Sequence, residues 1–152
     1  MPVSSPLYRR VQQLLEKRML KRQANQSPLH ILIVEDNSFL KNLFCQAFCQ
    51  THIIHAAATA EEGWKLYLDK APSIIFLDIK LPGIDGHALA KKIKQHCASA
   101  YVVMVTASDH IEDKEQAMHN HVDGYIVKPF SKKKINSYIE RYLESCPPKE
   151  QE

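Results

Sequence analysis

The residues most able to do chemistry in this 152-residue chain stand just after short apolar runs. Glu35 and Asp36 follow Ile31-Leu32-Ile33-Val34, and Asp78 follows Ile74-Ile75-Phe76-Leu77. Thr106 closes Val102-Val103-Met104-Val105, and Lys128 closes Tyr125-Ile126-Val127. Gathered in one pocket, these residues supply three carboxylates, one hydroxyl and one ammonium. Carboxylates that close repel each other, so the pocket invites a hard divalent cation such as Mg²⁺. No His or Cys stands at zinc-ligand spacing. A carboxylate beside such a cation can act as a nucleophile toward phosphorus. The cation and Lys128 would offset charge developing on the phosphoryl oxygens, and Thr106 would hydrogen-bond the group after transfer. Taken alone, Asp36 reads as an ordinary helix cap. The joint pattern does not reduce to caps, because four run ends each carry a suitable residue.

Such convergence requires a particular set of elements. Strands are expected at 30–34, 53–57, 73–77, 101–105 and 124–127, each a short apolar run. Helices alternate with them from Ser38 to Gln50, with Leu40, Leu43, Phe44, Ala47 and Phe48 on one face, then from an N-cap at Thr59 to about Lys70. Three more run from Gly86 to Cys97, from Ile111 to Asn120, and from a Ser131 cap to Glu144. Five βα units in regular alternation predict an α/β, doubly wound, five-stranded parallel sheet with helices on both faces. In such a sheet the carboxyl ends of the strands converge where ligands bind.

Composition narrows the classes. The chain is 45% hydrophobic and 24% charged, and a chain of this size buries a core without disulfides or a structural metal. No apolar run approaches the ~18 residues of a membrane span, and the start has no apolar block after its first charges, so a cytosolic domain is expected. The four cysteines form no C-x-x-C pair; Cys45 and Cys49, one helical turn apart, read as small residues in or near a core. Charge is uneven. Residues 1–28 hold six Lys/Arg against Glu16 alone, while the rest holds 14 Lys/Arg against 16 Asp/Glu. That first segment predicts an amphipathic helix over about 7–24, with Leu7, Val11, Leu14 and Leu15 on the apolar stripe and a break at 25–28. Its expected role is docking or dimerisation first, then contact with a partner or membrane surface, then nucleic acid.

The motifs Ile31-Leu32-Ile33-Val34-Glu35-Asp36, Ile-Phe-Leu-Asp78-Ile-Lys-Leu-Pro82-Gly-Ile-Asp85-Gly86, Val-Met-Val-Thr106-Ala107 and Gly124-Tyr125-Ile-Val-Lys128-Pro129-Phe130 resemble the response regulator receiver domain of two-component signalling. The resemblance runs from about His30 to Glu144. It implies the CheY-like strand order 2-1-3-4-5 with five helices, over a domain at 29–146 with a short tail at 147–152. It implies Asp78 as phosphoacceptor, Thr106 as switch hydroxyl, Lys128 as phosphate-contacting lysine and Tyr125 as aromatic rotamer switch. Glu35, Asp36, Asp78 and the backbone carbonyl of Lys80 would hold Mg²⁺ or Mn²⁺, and Lys128-Pro129 would be cis. Phosphoryl groups would come from a histidine kinase or a histidine phosphotransfer protein. Phosphorylation would change a surface of helix four, strand five and helix five, for a downstream partner, a homodimer or a phosphorelay.

Lys80, two residues after Asp78, and Ser108, two after Thr106, flank the expected site. A long cation at Lys80 is expected to slow self-dephosphorylation. His52, His55, His119 and His121 read as solvated or helix-end residues, and Lys132-Lys133-Lys134 as a solvated face or an acidic-partner contact. Only six residues follow Cys146, so a stand-alone regulator, not an enzyme beyond its own phosphoryl chemistry, is expected. Two readings compete with it: a non-switching scaffold of the same fold, and a turnover phosphohydrolase with an aspartyl-phosphate, which would need a cap the chain has no insertion to build.

Overall fold

The computed structural model describes residues 28–145, together with residues 6, 9–11 and 13, which are helical, the last four within the expected N-terminal helix. The rest of that helix and the tail lie outside the described residues. Five strands, β1 (His30–Val34), β2 (Ile53–Ala57), β3 (Ile74–Leu77), β4 (Tyr101–Thr106) and β5 (Gly124–Val127), form one sheet. All pairings are parallel and the order is β2-β1-β3-β4-β5. Five helices alternate with them: α1 (Ser38–Phe48), α2 (Ala60–Lys70), α3 (Gly86–His96), α4 (Ile111–His119) and α5 (Lys132–Ser145). The expected doubly wound sheet is the fold, and element bounds differ from expectation by a residue or two. The Lys128-Pro129 peptide is cis.

Alternating side chains of the strands build two cores. Leu32, Val34, Ile75, Leu77, Val102 and Met104 pack against Tyr67 of α2, Leu89 and Ile93 of α3 and Ala117 of α4. Ile31, Ile33, Ile74, Phe76, Val103 and Val105 face Phe44 and Phe48 of α1 and Ile135 and Ile139 of α5. The central strands are apolar throughout because both of their faces are covered. Phe44 and Phe48 are each 1% exposed, and burying one phenylalanine contributes roughly 2–3 kcal/mol.

Helix starts follow local side-chain chemistry. The side chains of Asn37, Thr59, Asp85 and Ser131 accept from the backbone N–H of Leu40, Glu62, Ala88 and Lys134, all at 2.9–3.1 Å. The cap of α1 is thus Asn37, and the capping explanation of Asp36 does not apply.

Three expectations need correction. Leu43 is 45% exposed and does not join Phe44 and Phe48 in the core, because the apolar stripe of α1 is narrower than its sequence pattern. Cys49 is exposed, its thiol directed to the Gln46 carbonyl, whereas Cys45 is half-buried. His52 and His55 are not solvated bystanders: His52 Nδ1 accepts from the Leu29 N–H at 3.3 Å, and His55 Nε2 shares a 2.9 Å hydrogen bond with His30 Nδ1. Residues 132–134 are exposed, as a solvated face requires, and so are His119 and His121.

Candidate functional site

The parallel register sets the ends of β1, β3, β4 and β5 side by side. The Asp78 N–H donates to the Val34 carbonyl, and the Lys128 N–H donates to the Thr106 carbonyl at 2.8 Å. Of the expected residues, Glu35, Asp36, Asp78 and Lys128 therefore meet. Ligand oxygens of Glu35, Asp36 and Asp78 lie within 4.8 Å of one another. Glu35 and Asp78 are 4% and 6% exposed, while Asp36 opens to solvent. Two of three clustered carboxylates are thus largely stripped of water, which is costly unless a cation compensates.

Lys128 is one such cation. Its Nζ donates to Glu35 Oε2 at 2.6 Å and to Asp78 Oδ2 at 2.9 Å. Burial pulls the Lys128 ammonium down, but the bonds to Glu35 and Asp78 outweigh it and hold its pKa above the ordinary lysine value. Burial pushes the Glu35 carboxyl up, against the lowering effect of Lys128 and of the Asn37 N–H that donates to Oε1 at 3.1 Å. One ammonium for three carboxylates leaves the cluster net negative. An all-oxygen donor set of that charge fits Mg²⁺ or Mn²⁺ and does not suit zinc.

Thr106 is 1% exposed at the end of β4, and its Oγ1 accepts from the Ser108 N–H at 3.4 Å. Lys80 is exposed on the segment between β3 and α3. Gly86 opens α3 directly against the phosphoacceptor candidate: a Cβ there would fall 1.9 Å from the Asp78 carbonyl oxygen. Only a residue without a side chain lets α3 approach so closely. Tyr125, on β5, is half-buried against the core and donates its hydroxyl to the Ser108 carbonyl at 2.7 Å.

A buried polar group beside this site gave no signal in periodicity or motif. His87 is 3% exposed, and its Nε2–H donates to Asp113 Oδ1 at 3.0 Å. The other Asp113 oxygen accepts a short hydrogen bond from Ser108 Oγ. Asn120 Nδ2 donates to the His87 carbonyl at 3.2 Å.

Comparison with known proteins agrees with this geometry. The family model described as response regulator receiver domain matches residues 31–140. The chemotaxis protein CheY of Halobacterium salinarum is 30% identical over 114 residues, covering 74% of this chain and 95% of that protein. The probable transcriptional regulator ycf27 of Cyanidium caldarium is 26% identical over 125 residues, 82% of this chain but 50% of that protein. The chain thus spans half the length of that relative, and a quarter of the regulatory protein AtoC of Escherichia coli, to which it is 28% identical over 75% of its own length. Among solved structures, a CheY-like receiver domain protein from Methanospirillum hungatei superposes with a TM-score of 0.74 at 27% identity, covering 78% of this chain and 95% of that one. The receiver domain of NtrX from Brucella abortus gives 0.70 at 31%, covering 76% and 99%.

Proposed function

The chain belongs to the response regulator receiver domain family, and from that premise we propose that it is a phosphorylation-gated switch with Asp78 as phosphoacceptor. The observation that supports this best is the joint placement of Glu35, Asp36 and Asp78 with Lys128 bridging two of them. In this reading an Asp78 carboxylate oxygen attacks the phosphorus of a phosphohistidine on a kinase or phosphotransfer protein. The P–O bond to Asp78 forms as the P–N bond breaks, and the histidine departs as the leaving group. Lys128 is positioned to leave Asp78 and follow the incoming negative charge, since its second carboxylate, Glu35, keeps it anchored. The Thr106 hydroxyl supplies a hydrogen bond to the phosphoryl group, and its movement is coupled to the ring of Tyr125. Glu35, Asp36, Asp78 and the Lys80 carbonyl would hold a divalent cation, which neutralises phosphoryl charge when bound.

The response surface is α4, β5 and α5, where Met118 is 75% exposed and Lys114 and Lys134 flank Tyr125, Val127 and Phe130. Partner binding or onward relay uses that surface, in a cytoplasmic setting, and catalysis is limited to the chain's own phosphorylation and dephosphorylation. No helix among the described residues is long and apolar enough to cross a membrane. The basic segment 1–28 is a separate docking or dimerisation element in this reading.

The test is intact mass after incubation with acetyl phosphate and Mg²⁺, with Asp78→Asn and an EDTA control alongside. One phosphoryl adduct that needs both Asp78 and metal is expected. No adduct, together with no Mg²⁺ binding, would favour a non-switching scaffold.

A further inference from the structure

The polar group formed by His87, Asp113 and Ser108 has a defined direction of donation. Asp113 is a carboxylate and can only accept, so His87 presents Nε2–H and Ser108 presents its hydroxyl proton. His87 Nδ1 is buried and has no hydrogen-bond partner among the described residues. Ser108 Oγ, while donating to Asp113, accepts from the His110 N–H at 3.3 Å. Asp113 is the terminus on which both donors converge, and those two bonds, from Ser108 first and His87 second, hold its carboxyl below the ordinary aspartate range.

The consequence is mechanical. His87 sits in the first turn of α3, Asp113 in the first turn of α4, and Ser108 in the segment joining β4 to α4. The two bonds to Asp113 tie these three pieces together. Nothing else described anchors the start of α4 in this way, because its N-cap residue His110 makes no side-chain capping bond. Ser108 is also the residue whose carbonyl receives the Tyr125 hydroxyl and whose N–H reaches Thr106 Oγ1.

We infer that Asp113 is a positioning residue: clamped between His87 and Ser108, it fixes the Ser108 carbonyl where Tyr125 docks, and so sets the resting position of Tyr125 from which the switch departs. The inference rests on the switch reading above and deepens it by assigning the resting position of the switch to residues outside the phosphoacceptor pocket. Asp113 touches neither the phosphoacceptor nor the metal ligands in any described bond. Its influence on the site passes through Ser108.

The experiment uses the full chain labelled with 3-fluorotyrosine, with the Tyr125 resonance assigned by Tyr125→Phe, with and without beryllofluoride and Mg²⁺. Wild type is expected to give one Tyr125 resonance in the free protein, set by the bond to the Ser108 carbonyl, and a different one with beryllofluoride and Mg²⁺. Asp113→Ala is expected to move that resonance and to lower amide-exchange protection over residues 108–119 about tenfold, the scale of one lost hydrogen bond to a charged group. With beryllofluoride and Mg²⁺ the variant should approach the resonance that wild type shows under the same conditions. Asp113→Asn, which keeps the acceptor for His87, should fall between the two and serves if the alanine variant does not fold. A Tyr125 resonance and an α4 protection equal to wild type in both variants would overturn the clamp. A variant resonance shifted in the free protein, with beryllofluoride moving neither variant nor wild type, would leave the clamp standing and count against the switch reading, which the Asp78 adduct checks independently.

Discussion

The Lys128 ammonium bridges Glu35 Oε2 at 2.6 Å and Asp78 Oδ2 at 2.9 Å, joining residues 93 and 50 positions away in the chain. It is the internal counter-charge of the acidic cluster, and an added divalent cation would share that task. Lys128→Met leaves two buried carboxylates without their partner, a loss expected to cost roughly 3 kcal/mol of stability. Mg²⁺ should then raise the melting temperature of the variant more than that of wild type. Equal Mg²⁺ responses in thermal melts would show that lysine and cation do not act on the same charges.

Gly86 gives a second expectation. Its substitution by alanine drives a Cβ into the Asp78 backbone, so α3 must retreat or the segment carrying Asp78 must shift. Gly86→Ala should lose about 1–3 kcal/mol, the usual range for overpacking. Because the strain falls on Asp78 itself, the rate of adduct formation with acetyl phosphate should fall as well. A destabilised variant with an unchanged rate would separate the packing role from the site.

Lys80 is exposed and two residues from Asp78, close enough in sequence for its long side chain to reach toward a phosphoryl group. A cation there can pair with phosphoryl oxygens or obstruct water. Lys80→Ala should therefore shorten the lifetime of the phosphorylated form, followed as decay of the adduct mass. An unaltered lifetime removes Lys80 from the mechanism.

Acid sensitivity should begin near neutrality. Burial lowers the pKa of His52 below its ordinary 6.5, and burial, then the neighbouring His30, does the same for His55. The unfolded chain then binds protons that the folded chain refuses, so these residues contribute stability above about pH 6.5 that is lost as pH falls below it. Chemical denaturation between pH 7.5 and 5 should show that decline, and His55→Gln should flatten it. An identical slope in wild type and variant would place the proton uptake elsewhere.

The fold was legible in the sequence because its signals are local. Continuous apolar runs marked the strands, Thr59 and Ser131 marked helix starts, and topology rules for parallel sheets sent every strand end to one edge. That is why the sequence alone groups Glu35, Asp36, Asp78, Thr106 and Lys128. What the periodicity overstated, such as Leu43 on the inner face of α1, depended on how wide a stripe the sheet covers.

The chain's own pattern was enough to determine the five βα units and which residues stand at the strand ends, since both follow from neighbours in sequence. Only the tertiary structure decided how those side chains pair. Lys128 chooses Glu35 and Asp78, and His87 finds Asp113 across 26 residues, because packing aims particular donors at particular acceptors in a water-poor space. An unpaired polar group is expensive there, so geometry, not residue type, selects the partner.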